Sequence, residues 1–140
     1  LITVGAAIGV WEAVAQCGAA DLVAQWINFI VGDQPHRGLI VLFLLTVAFT
    51  EMISNVAVAA MMFYIAVGLA CQLDVSPRPF IMAVTLGASL SFISPIGYQT
   101  NLMVMGPGGY RPIDYVRAGL PLGIVVGTIA LILIPWVWPF

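Results

Sequence analysis

Thr50, Glu51, Ser54 and Asn55 stand inside a segment, 38–71, that is otherwise almost entirely apolar. In hydrocarbon, a polar side chain or an opened backbone amide is costly unless it finds a partner. A cluster of this kind is therefore either packed against protein or placed on an ion path. A second polar run, SPIGYQTN at 94–101, lies in a stretch with no charged residue between Arg78 and Arg111. Pro95 removes a backbone donor and Gly97 loosens the chain, so a helix should unwind there. Opened backbone at membrane depth is tolerated only inside protein or around a cavity.

The elements that carry these residues follow from length. One helix over 38–71 would be roughly 50 Å long, too long for a hydrocarbon core of about 30 Å. Two full spans of about 20 residues each would not fit either. A re-entrant hairpin fits: two half-length helices meet near Ser54 and Asn55, whose side chains can bond neighbouring backbone groups. A single tilted helix is the alternative. Segment 79–107 reads as a discontinuous helix, apolar over 80–93, unwound at 94–101 and stopped by Gly106, Pro107, Gly108 and Gly109. A proline kink satisfied by neighbouring helices is the alternative here. Two interrupted segments in one chain match the pattern in which opened helices meet near the bilayer midplane to bind ions and substrate. A partial span at 1–20, an amphipathic collar at 110–117 and a last span at 119–138, closed by Trp136 and Trp138, complete the order.

Composition sets the class. Of 140 residues, 62% are hydrophobic and 7% charged, against about 25% charged in soluble domains. The expected fold is an all-α integral membrane protein, a single membrane domain over 1–140 in contact with the lipid bilayer. A net charge of −2 gives no reason to expect a nucleic-acid partner. Cys17 and Cys71 form no CxxC pair, and His36 sits in the polar run GDQPHRG, which reads as a loop. The sequence has no HExxH, GxSxG or Cys/His arrangement, so an enzyme is not expected. The chain starts at Leu1 and reads as part of a longer polypeptide. A structural membrane subunit is the bland alternative to a transport protein.

The run Thr50-Glu51-Met52-Ile53-Ser54-Asn55-Val56 is similar to T-E-x-x-S-N-T, and Pro95-Ile96-Gly97-Tyr98-Gln99-Thr100-Asn101 to P-x-G-T-P-P-N. In these motifs the chain resembles the divalent-anion:sodium symporter family of the ion transporter superfamily. GYQTN followed by MGPGGYRPIDYVRAGLPL resembles its sulfate-permease-like branch, whose full-length members often carry cytosolic TrkA-C-type domains. The resemblance covers the C-terminal of two inverted repeats, each with a re-entrant hairpin and a discontinuous helix. It implies a missing N-terminal repeat, a homodimer in full-length form and multi-pass insertion in the inner or plasma membrane.

The function implied is sodium-coupled transport of a small divalent anion, with Na+ as coupling ion. By position, Thr50, Ser54, Asn55 and the backbone around Gly97 would hold sodium. Ser54, Asn55 and Val56 with Gln99 and Thr100 would face the anion. Glu51, Pro95 and Asn101 would be structural. Hydroxyls, an amide and freed carbonyls are hard oxygen ligands, and half-helix N-termini favour anions. Val56 stands in place of the family threonine, and Gln99-Thr100 in place of Pro-Pro. Those departures favour an inorganic oxyanion such as sulfate over a dicarboxylate. Proton coupling through Glu51, or antiport of the arsenite or sodium/proton kind, is the alternative.

Overall fold

The computed structural model describes Gly32 and residues 34–139; the expected partial span at 1–20, with Glu12 and Gln16, lies outside them. Among the described residues every regular element is a helix: α1 (Pro35–Thr50), α2 (Asn55–Gln72), α3 (Arg78–Ala88), α4 (Gln99–Gly108) and α5 (Pro112–Val137). Proline opens α1 and α5 and stands in the first turn of α3, where its missing N–H has no helical partner to lose. Helix α2 ends in a Schellman turn: Val75 N–H donates to Ala70 O and Asp74 N–H to Cys71 O. Asp74 takes the left-handed conformation this needs, at φ 51°, which a short polar side chain tolerates.

The core is built by α1, α2 and α3. Leu39, Leu42 and Phe43 from α1 meet Val58, Met62, Ile65 and Leu69 from α2, and Phe80, Ala83 and Val84 from α3. Helix α3 packs against both partners, while α5 adds Ala130 and Ile134 at the edge. The outer surface is apolar as well, with Leu44, Phe63, Ile132 and Trp136 exposed. In water such a surface would drive association; lipid or further protein removes that penalty. Helix α5, at 26 residues, is about 39 Å long and reaches across a core of about 30 Å.

Helix α2 keeps the expected bounds, starting at the bend and ending at Gln72, and its 18 residues are also apolar enough for a candidate span by length and composition. Two other boundaries differ from the expected ones. Helix α3 stops at Ala88, before the apolar stretch 89–93 that was expected to continue it. Of the expected collar at 110–117, residues 112–117 are the first part of α5 itself, because Pro112 starts the helix and the Asp114 carboxylate accepts the Arg111 N–H at 2.9 Å.

Candidate functional site

The bend between α1 and α2 is made at 51–54. Met52 and Ile53 N–H both donate to Phe49 O, and Val58 N–H to Ser54 O. Thr50, the last residue of α1, is fully buried, whereas Ser54 and Val56 are exposed and Glu51 and Asn55 half-buried. The bend is therefore a tip with an inner and an outer side.

The inner side faces the non-helical stretch 89–98 that separates α3 from α4. Had α3 continued, Phe92 N–H would have donated to Ala88 O. Instead Thr50 Oγ1 donates to Ala88 O at 2.9 Å, and the Glu51 carboxylate takes the Phe92 N–H at 3.1 Å. The same carboxylate accepts Ile93 N–H at 3.1 Å and Ser94 N–H at 2.6 Å. Two residues at the tip thus replace the bonds that would have prolonged the helix. Charge-assisted bonds to a carboxylate are about twice as strong as neutral ones, so the exchange favours the open form.

Ser94 closes the joint from its own side. Its hydroxyl donates to Glu51 O at 2.7 Å and accepts Ile96 and Gly97 N–H at 3.1 Å each. Ser91 Oγ donates to Thr50 O at 3.3 Å, and Asn101 Nδ2 to Ser91 O at 3.3 Å. Tyr115 of α5 donates to Asn101 O at 2.8 Å. Gly97 is buried where a Cβ would strike Thr50 O and the Ser91 hydroxyl; only glycine fits there. Gly119 of α5 is held equally close to the Phe92 carbonyl.

Tip and break therefore share one polar cluster. It brings together Thr50, Glu51, Asn55, Gly97 and Asn101. Thr50 Oγ1 also lies in donating distance of Asn55 Oδ1, at 2.8 Å. One proton serves either that oxygen or Ala88 O, and a turned Asn55 amide would satisfy both contacts at once. Pro95 is buried within the break. Ser54, Val56, Gln99 and Thr100 are exposed around the cluster. Thr100 also lines, with Asn101, Asp114 and Tyr115, a cavity of about 450 Å³ between α4 and α5.

Helices α2 and α4 both begin at this cluster, behind Ser54 and Tyr98, and neither start is capped by a side chain. First-turn amides without a side-chain cap, at the positive end of a helix, suit an anion. Beside them stand the hydroxyl, amide and carbonyl oxygens of the joint, which suit a small hard cation. Ser91, Ser94 and Tyr115 belong to this arrangement and were not singled out by the sequence as site residues. A serine two residues before a free N–H, as Ser94 is to Ile96, was the available signal.

The chain has relatives of transport function. The transporter YfbS of Escherichia coli (strain K12) is 37% identical over 88% of this chain and 20% of its own length. Sodium/sulfate cotransporter 2 of Chlamydomonas reinhardtii is 35% identical over 98% of the chain and 16% of its own. Solute carrier family 13 member 2 of Mus musculus is 29% identical over 99% of the chain and 24% of its own. The chain thus spans about a quarter or less of the length of these relatives. The citrate transporter family profile matches residues 1–139, so the chain belongs to that family of membrane transporters, not enzymes, consistent with the divalent-anion:sodium symporters whose motifs it carries.

Proposed function

We propose that these residues form part of a longer permease that moves a small divalent anion, sulfate-like in preference to a dicarboxylate, together with sodium. The observation that carries this reading is the single cluster where the tip and the break meet, with oxygen ligands beside two uncapped helix starts. Thr50, Ser54, Asn55 and the backbone at Gly97 take sodium; Ser54, Asn55 and Val56 with Gln99 and Thr100 face the anion. In this reading α1 and α2 form a re-entrant hairpin and α3 and α4 the halves of a discontinuous helix, opposite an inverted N-terminal repeat. A relative named a sodium/sulfate cotransporter supports both the ion and the anion.

Proton coupling through Glu51 is disfavoured by its surroundings. Both carboxylate oxygens are engaged by backbone amides, whereas a proton carrier must exchange its proton during each cycle. The reading is tested in the reconstituted full-length permease by following sulfate uptake at fixed pH. Uptake should require a sodium gradient; uptake driven by a proton gradient in choline would reject it.

Anion choice gives a further prediction. Val56 is 59% exposed in the first turn of α2, where a hydroxyl would add a donor for a second carboxylate. A hydrogen bond to a charged group is worth about 1.5–3 kcal/mol. Val56→Thr should therefore sharpen succinate inhibition of sulfate uptake by roughly tenfold or more, with sodium affinity little changed. Unaltered inhibition would move the choice of anion to Gln99 and Thr100.

A further inference from the structure

We propose that Glu51 is a positioning residue that holds the second interrupted segment open from Ser89 onward, so that the break starts where it does because of the tip, ahead of the point where its own Pro95 would end the helix. Nothing in the stretch SLSFI at 89–93 forbids a helix; it holds neither proline nor glycine. The nearest breaker is Pro95, and a helix from α3 could run to about Ser94 before meeting it. What stops it is distant in sequence. Thr50 occupies the Ala88 carbonyl and Glu51 removes three consecutive amides, those of Phe92, Ile93 and Ser94, from helical pairing. The reciprocal pair Ser94 N–H to Glu51 Oε2 and Ser94 Oγ to Glu51 O then locks the two segments in register.

The requirement is for a carboxylate and not merely for a polar side chain of this size. All three partners are donors, and the two on Oε1 and the one on Oε2 use both oxygens. A glutamine can offer an acceptor to one side only and turns its NH2 against an N–H on the other. Glu51→Gln therefore sets donor against donor at Ser94 or at the Phe92–Ile93 pair. With the clasp lost, 89–94 regains its helical bonds, the register of α4 shifts, and Gly97 leaves its place against Thr50. Glu51→Asp keeps the charge and shortens the reach, so it should recover part of the joint.

This inference deepens the proposed function and rests on the same cluster, but its test does not depend on the anion. In the full-length permease with its cysteines, Cys17 and Cys71 among them, replaced by serine, spin labels are placed at the exposed positions Met52 and Ile96, one on each side of the joint. The parent should give one short, narrow distance distribution. Glu51→Gln should lengthen or broaden it, Glu51→Asp should move it back towards the parent, and sulfate uptake per unit of protein should fall in the same order. Ser94→Ala, which leaves the carboxylate in place, serves where Glu51→Gln does not fold, and should give a smaller displacement in the same direction. A distance unchanged in Glu51→Gln, or in Ser94→Ala where that variant stands in for it, overturns the proposal, as does full uptake with the joint displaced. If the parent itself moves no sulfate while Glu51→Gln still displaces the joint, the anion is rejected and Glu51 stands as the clasp.

Discussion

Gly97→Ala should abolish most sulfate uptake at unchanged protein level in the membrane. The added methyl collides with the Thr50 carbonyl and the Ser91 hydroxyl, and reaches within 3.2 Å of Glu51 Cα. Two of these three obstacles are backbone, which cannot rotate away as the end of a long side chain can. Inserting atoms into a filled site costs about 1–3 kcal/mol or more, equivalent to a fall of roughly five- to a hundredfold. The damage should be confined to the joint, because the core made by Leu42, Phe43, Met62, Leu69 and Phe80 does not touch Gly97 in this way. Initial rates of uptake per unit of surface protein check this, and a rate near the parent's would show that tip and break need not meet closely.

Asn55→Ala should have the second large effect, and on sodium rather than on the anion. Asn55 is the first residue of α2, with its side-chain oxygen 2.8 Å from Thr50 Oγ1. Removing the amide takes away one oxygen ligand and one partner of a fully buried hydroxyl. The loss of a bond to a charged group, about 1.5–3 kcal/mol, translates into a sodium half-saturation raised roughly ten- to a hundredfold. Sulfate affinity measured at saturating sodium should change much less. If the anion constant moved and the sodium constant did not, Asn55 would belong to the anion's side of the cluster.

The tip was legible in the sequence because polar residues in an apolar segment are conspicuous, and Thr50, Glu51 and Asn55 all take part in the joint. Gly97 was legible as a backbone signal, though its reason is space and not conformational freedom. The start of the break was not legible. Local patterning favours helix through 89–93, and the groups that prevent it, Thr50 and Glu51, lie about forty positions earlier. No local propensity encodes such a bond; tertiary context overrides it. The origin of α5 had a local signature in Pro112 with Asp114, which the charged character of 110–117 masked as a separate collar. The end of α2 was legible, because the polar run from Gln72 marks it and the helix stops at Gln72.

Equilibrium binding of labelled sulfate to the purified full-length permease, with sodium and with choline in its place, tests most directly whether tip and break form one shared site. A shared site predicts saturable sulfate binding in sodium, little in choline, and a sodium requirement shifted to higher concentration in Asn55→Ala. Sulfate binding of equal strength in choline, or a sodium requirement untouched by Asn55→Ala, would contradict it.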